Sequence, residues 1–221
     1  MLTGRQFKDV VYHELSRVAK ALADPKRLEI LDLLCQSEKS VEAVAEEMRM
    51  SAAAVSHHLQ LMKGARIVTD RRAGKYIYYG ASPMGMECWQ SLSDVGERAV
   101  PEIQLALQNF FSNIETIEEL GIRELKQRLS VGDIVLIDVR PEQEYASGHI
   151  PGSLSYPLKE LEKKIGELPK KQRILAYCRG RYCVMSKQAI ELLQKKGYQA
   201  ARLPVEIAEG HIRGRLQAAG E

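Results

Sequence analysis

The sequence predicts two domains of different class: a mainly α N-terminal domain over residues 1–112 and an α/β C-terminal domain with a largely parallel central sheet over residues 113–221. The 221 residues exceed the usual size of one domain and suit two of roughly 100 each. Apolar residues recur at helical spacing as far as about residue 112. From about Glu115 short apolar runs alternate with helical segments, the alternation that a parallel sheet requires. The change of pattern falls near residues 112–119.

Over residues 9–23, Val10, Val11, Leu15, Val18, Ala19 and Leu22 mark a helix. Asp24-Pro25 ends it and opens the next: Asp24 is the N-cap, and Pro25 takes the first helical position, where a missing N–H costs nothing. That helix runs from Lys26 to about Cys35 and turns Leu28, Ile30, Leu31, Leu33 and Leu34 largely inward. Ser40 caps a short helix, Val41–Met48, with Val41, Val44 and Ala45 inside; Ser51 caps another from Ala52 to about Lys63. Arg66–Asp70 and Lys75–Gly80 read as the arms of a hairpin, with Arg71-Arg72-Ala73-Gly74 as its basic tip. Residues 84–112 form a longer helix bearing Trp89, Leu92, Val95, Leu105, Leu107, Phe110 and Phe111, too apolar for a lone surface helix. Pro101 should kink or interrupt it.

In the second half, Ile134–Val139 is a buried strand by its continuous apolar character. Leu158–Leu168 is an amphipathic helix and Arg173–Tyr177 a strand. Val184–Lys196 is a helix with Gly197 as its C′ residue, and Tyr198–Leu203 is a last short strand.

Bulk properties remove several function classes. The composition, 45% hydrophobic and 28% charged, is that of an ordinary soluble chain. No apolar run approaches the roughly 18 residues needed to span a bilayer. The start, MLTGRQFKDVVYHEL, has no signal-peptide core, so the expectation is a cytoplasmic protein with no membrane partner. Four cysteines, scattered and without a CxxC pair, make neither a disulfide scaffold nor a zinc site, and neither metal nor cofactor is expected. The net charge of +3 comes entirely from the second half, so global charge does not announce a nucleic-acid binder. Local charge does better, because Lys63, Arg66, Arg71, Arg72 and Lys75 face only Asp70.

A tri-helical unit followed by a basic hairpin has the layout of a winged helix-turn-helix. Its fourth helix enters the major groove while the hairpin flanks phosphates. Ser51, Ser56, His57, His58 and Gln60 offer short hydrogen-bonding groups to base edges and backbone; Lys63, Arg71, Arg72, Lys75 and Tyr76 line the phosphate side. Ala52, Ala53 and Ala54 let the helix sit close to DNA. The runs ALADPKRLEIL (21–31), SVEAVAEEMRMSAAAVSHHLQLMKGARIV (40–68) and DRRAGKYIYYG (70–80) together resemble the ArsR family of bacterial repressors over residues 10–112. That resemblance implies a homodimer on a double-stranded DNA operator, with the first and terminal helices forming the interface. The family's metal-sensing patterns, cysteines in the third helix or His/Asp sites in the terminal helix, are missing, so a metal inducer is not expected. The resemblance also offers a thiol switch between Cys35 and Cys88; the alternative is two small buried hydrophobes.

Residues 138–157, DVRPEQEYASGHIPGSLSYP, and 177–183, YCRGRYC, resemble the rhodanese superfamily of sulfurtransferases, with coverage of roughly residues 115–215. A cysteine between a strand and the N-terminus of the next helix has backbone N–H groups aimed at its sulfur, which favour thiolate and bound anion. The resemblance makes Cys178 the nucleophile. It would take sulfane sulfur as a persulfide from thiosulfate or another small donor and pass it to a thiol acceptor. Arg179 and Arg181 would add positive charge for an anionic donor. Asp138 and Arg140 read as a buried charge pair positioning the loop, with Gly180, Tyr182 and Cys183 as further support and Glu144, Gly148, His149 and Pro151 as scaffold. Cys183 is either packing or a resolving partner for Cys178. A cysteine phosphatase would need an Arg where Val184 stands and a His where Tyr177 stands. Near the C-terminus, Glu206 and Gly210 occupy positions where the superfamily usually has Gly and Trp.

The expected function is a sulfur-responsive repressor whose rhodanese domain carries persulfide. The alternatives are a sulfurtransferase whose helical domain serves mainly for dimerisation and a regulator whose rhodanese domain only binds an anion. The basic wing argues against the former and the intact Cys178 loop against the latter.

Overall fold

The computed structural model describes residues 2–112, 114 and 120–203. They form two compact units that divide between Val100 and Pro101.

In the first unit, α1 spans Gly4–Leu22 and α2 Pro25–Leu34. The start of α1 precedes the apolar periodicity because Thr3 and Gln6 form a reciprocal capping box there. Asp24 accepts from the backbone N–H groups of Lys26 and Arg27, as an N-cap should. β1 (Lys39–Ser40) leads into α3 (Val41–Met48), and α4 spans Ala52–Gly64, with Ser40 and Ser51 capping α3 and α4. β2 (Val68–Ala73) and β3 (Tyr76–Ala81) complete an antiparallel sheet of order β1-β3-β2.

The hairpin corrects one expectation. Arg71 and Arg72 lie within β2, paired with Tyr78 and Ile77, and the turn is Gly74-Lys75. Gly74 has φ 60, the positive value that a two-residue hairpin turn of matching twist demands at its first position. Ile30, Leu31, Val44, Val55, Leu59, Met62 and Ile67 fill the core beneath these elements.

The apolar helix expected over 84–112 is two helices, α5 (Pro83–Ala99) and α6 (Pro101–Phe111). Val100 between them is extended at φ -117 and ψ 98, the conformation imposed on a residue before proline. The interruption expected at Pro101 is therefore present.

In the second unit, α7 (Ile122–Ser130), β4 (Ile134–Asp138), α8 (Glu142–Ser147), β5 (Leu154–Ser155) and α9 (Leu158–Lys164) follow α6. β6 (Arg173–Tyr177), α10 (Met185–Lys195) and β7 (Ala200–Arg202) complete it. The helix expected over 158–168 tightens at Ile165–Glu167 into one 3-10 turn. The described strands form a parallel sheet of order β5-β4-β6-β7. Strand alternation supplies two apolar layers: Ile137, Ile174 and Ala176 pack with Leu161, Ala189, Ile190 and Leu193 on one face. Ile134, Leu136, Leu175 and Tyr177 pack with Leu125 on the other. No described helix is long and apolar enough to cross a membrane. Glu206 and Gly210 lie outside the described residues.

Candidate functional site

Cys178 follows β6 directly, at the carboxyl end of a central strand, where open parallel sheets place their ligands. The residues from Cys178 to Val184 then loop into α10, whose first turn has no side-chain cap. Gly180, at φ 153, adopts a conformation that side-chain-bearing residues rarely reach, and Cys183 N–H donates to the Gly180 carbonyl at 3.2 Å, which folds the loop back on itself. Cys178 is 4% exposed. Burial by itself raises its thiol. The side chains of Cys183 and Ser186 and the backbone N–H groups of Ser186 and Gly180 favour the anion, outweigh burial and bring it down to about 6. Ser186 Oγ is buried and meets no partner within hydrogen-bond geometry among the described residues, which leaves its proton to be drawn toward the sulfur anion.

The side chains around the loop divide by role. Asp138 and Arg140 are both buried, and the guanidinium holds the carboxylate through Nε at 3.0 Å and Nη2 at 2.6 Å. Nη2 also donates to the Gly148 carbonyl at 2.8 Å, tying the end of β4 to the segment after α8. The expected charge pair is thus formed. His149, expected as scaffold, stacks on Tyr145 at 3.8 Å between ring centroids.

Arg179 departs from its expected place. Its guanidinium, expected to draw in an anionic donor, is buried and bound bidentately to Glu144 at 2.9 and 2.6 Å. A guanidinium removed from water needs a carboxylate partner, and the fully buried Glu144 of α8 supplies it. Arg181 and Tyr182 stand half-buried at the loop rim.

Sequence reading missed Ser186 and Arg202. Arg202 is buried at the end of β7, and its Nη2 donates to the carbonyls of Gly180 and Arg181 at 3.2 and 3.4 Å. Its guanidinium also lies 3.9 Å from the Phe111 ring centroid. Since a trans peptide points its N–H opposite its carbonyl, this grip fixes the N–H directions of Arg181 and Tyr182. A lone arginine in the otherwise apolar run Ala200–Leu203 was the available signal.

On the helix-turn-helix face, His57 and Gln60 are exposed and Ser56 is half-buried. Ser51 is exposed, but its hydroxyl accepts from Ala54 N–H, and Gln60 donates to the Tyr79 hydroxyl at 3.1 Å. His58, expected at the exposed face, is turned half inward, with Nδ1 buried and unpartnered. Helical rotation explains it, since His58 lies near the line of the buried Val55 and Leu59.

The basic wing is partly neutralised. Lys63 pairs with Asp70 at 2.7 Å, and Arg71 pairs with Glu38 at 2.6 Å. Both pairings hold the cations charged: the Asp70 hydrogen bond raises Lys63, and the Glu38 hydrogen bond raises Arg71. Arg72 reaches the Gly74 carbonyl at 3.4 Å, and Lys75 lies 5.2 Å from the Tyr76 ring centroid, leaving these two cations without an ion pair among the described residues. Cys35 and Cys88 pack half-buried against the same core as α2 and α5 come together. Burial pushes the Cys35 thiol far above its ordinary value, and Cys88 moves in the same direction for the same reason.

A winged helix-turn-helix joined to a parallel α/β unit with a cysteine cradle defines a transcriptional regulator bearing a rhodanese-type domain. Residues 24–70 match the bacterial regulatory protein, arsR family, and residues 122–205 match the rhodanese-like domain. Among curated proteins, the chain is 34% identical over 208 residues to the HTH-type transcriptional regulator Rv0324 of Mycobacterium tuberculosis, covering 94% of this chain and 91% of that one. It is 40% identical over 65 residues to the transcriptional repressor SdpR of Bacillus subtilis, covering 29% of this chain and 72% of that one. It is 34% identical over 83 residues to a sulfurtransferase of Allochromatium vinosum, covering 37% and 76%. The chain belongs to the ArsR family of DNA-binding transcriptional regulators and carries a C-terminal rhodanese-like domain.

Proposed function

We propose that the protein is a cytoplasmic, homodimeric repressor that senses reactive sulfur, with its rhodanese-like domain carrying sulfane sulfur as a persulfide on Cys178. The observation that carries this reading is electrostatic: Cys178 is drawn down to about 6 by its donors, whereas burial raises Cys35 and Cys88. In the loading step, the Cys178 thiolate bonds to the outer sulfur of thiosulfate. The sulfur–sulfur bond of the donor breaks and its electron pair leaves on sulfite. A thiol acceptor then removes the sulfur. Arg181 is the loop cation that would meet the anionic donor, while Arg179, Asp138, Arg140, Gly180 and Tyr182 hold the loop in shape.

The N-terminal domain reads the operator as a dimer in this proposal. Ser56 and His57 approach base edges, and Arg72, Lys75 and Tyr76 face phosphates. Ser51, Gln60, Lys63 and Arg71 contribute through the caps and pairs that hold α4 and the wing. An apolar face on α1 (Phe7, Val10, Val11 and Leu15) and on α5 (Leu92 and Val95) stands exposed in the single chain and supports dimerisation through these helices. The test is DNA binding to the upstream region of its own gene, measured by fluorescence anisotropy with and without polysulfide. The parent should release DNA on treatment and Cys178→Ser should not. Release that survives in Cys178→Ser but is lost in Cys35→Ser would move sensing to the α2–α5 pair.

A further inference from the structure

We infer that Cys183 is a resolving cysteine, which converts the Cys178 persulfide into a Cys178–Cys183 disulfide and expels the carried sulfur as hydrosulfide. The inference rests on the persulfide reading above and adds what becomes of the sulfur when no external acceptor arrives.

Geometry carries it. The turn closed by Cys183 N–H on the Gly180 carbonyl brings residue 183 back against residue 178. The Cys178 sulfur lies 3.6 Å from the carbonyl oxygen of Cys183. Both side chains pack on the same apolar layer beneath the loop. The remaining two cysteines, Cys35 and Cys88, belong to the other compact unit, so Cys183 is the sole thiol that shares its unit with the nucleophile. The contact is also electrostatic: Cys183 hydrogen-bonds to the Cys178 sulfur, which with burial raises Cys183 well above its ordinary value while Cys178 is ionised. Once Cys178 carries a second sulfur, the negative charge moves outward to that sulfur and the restraint on Cys183 relaxes.

The step balances without an outside oxidant. Cys183 sulfur forms a bond to the inner sulfur of the persulfide. The bond between inner and outer sulfur breaks with its pair on the outer atom. That atom leaves with the Cys183 proton as hydrosulfide. The sulfane sulfur gains two electrons, and the two cysteines together lose them. The product is a covalent record of sulfane sulfur that lasts until an external thiol reductant erases it, which suits a regulator better than a transient persulfide does.

The experiment uses the full-length chain, reduced and freed of small thiols, with thiosulfate as the probe. Sulfite release reports loading and hydrosulfide release reports resolution. The parent should give about one equivalent of each, ending two hydrogen atoms lighter with the peptides of Cys178 and Cys183 linked. Cys183→Ser should give sulfite but no hydrosulfide and retain a sulfur atom on Cys178 until an external thiol is added. Cys183→Ala, which also takes a stabilising group from the Cys178 thiolate, should load more slowly but likewise release sulfite without hydrosulfide, which separates loss of the thiol from any disturbance by serine. Sulfite release with a stable persulfide in the parent overturns the resolving role alone, as does hydrosulfide release from both variants at the parent's rate. No sulfite from any of the three chains overturns the persulfide reading and the resolving role with it.

Discussion

Cys178 is buried and Cys35 half-buried, and burial opposes ionisation of both, yet their thiols move in opposite directions. Cys35 sits between apolar side chains at the end of α2, where burial has no opposing hydrogen bond and the nearby Asp32 carboxylate adds repulsion. Cys178 meets the same penalty, but Cys183, Ser186 and two backbone N–H groups favour its anion. Burial therefore does not set the reactivity of a thiol; the donors built around it do. The same contrast separates the polar groups of the two units. The Asp138–Arg140 and Glu144–Arg179 pairs are enclosed, whereas the Arg71–Glu38 and Lys63–Asp70 pairs of the wing stand in solvent.

The largest expected effect separates the thiols. Cys178→Ser should abolish sulfur loading, seen by intact mass, while Cys35→Ser and Cys88→Ser load as the parent does. Loading on Cys35 with Cys178 unmodified would break the comparison.

Next come the enclosed pairs. Glu144→Gln leaves a buried guanidinium without its counter-charge and should destabilise the rhodanese-like domain by about 3–5 kcal/mol, and Asp138→Asn should act alike. Urea unfolding followed by hydrogen exchange in β4 and β6 reads this directly. Glu38→Gln in the wing should leave the unfolding midpoint where it was.

A smaller effect lies in pH. Ionisation makes the nucleophile, so the loading rate should rise with pH through about 6 and level off near neutrality, because the thiolate is protonated only on the acid side. Ser186→Ala removes a donor to the anion, so its profile should keep its shape with the midpoint displaced upward. An unmoved midpoint would remove Ser186 from the site.

The smallest expected change is in DNA affinity. Replacing Arg72 and Lys75 together by Ala should weaken binding to all sequences and flatten the log–log salt slope by roughly two. Arg71→Ala should flatten it less, because Glu38 already holds that cation. Equal slopes for Arg71→Ala and Arg72→Ala, measured by anisotropy between low and moderate salt, would show that the Glu38 pair opens on binding.

Much of this was legible in the chain itself because it depends on local chemistry. Asp24-Pro25, Ser40 and Ser51 set helix starts by satisfying N–H groups within three residues of themselves, and Pro101 cuts a helix through its own ring. The apolar runs at Ile134–Val139 and Arg173–Tyr177 named two central strands, and the Cys178 loop announced its chemistry through its neighbours in sequence. The boundaries of the wing, and the two-residue β5, were less legible, since strands that short are made by their partners rather than by their own pattern. Tertiary structure alone decided where the charges went. No acidic residue lies within ten positions of Arg179 in the sequence, and only the packing of α8 beneath the loop gives it Glu144. Arg202 reaches Gly180 and Arg181 because β7 is hydrogen-bonded beside β6. Glu38 meets Arg71 because β1 and β2 flank β3. The physical reason is common to all three: a cap, a turn or a nucleophile's loop acts over a few residues, whereas a side-chain charge is neutralised by whatever the fold brings within about 3 Å, and sequence distance says nothing about that.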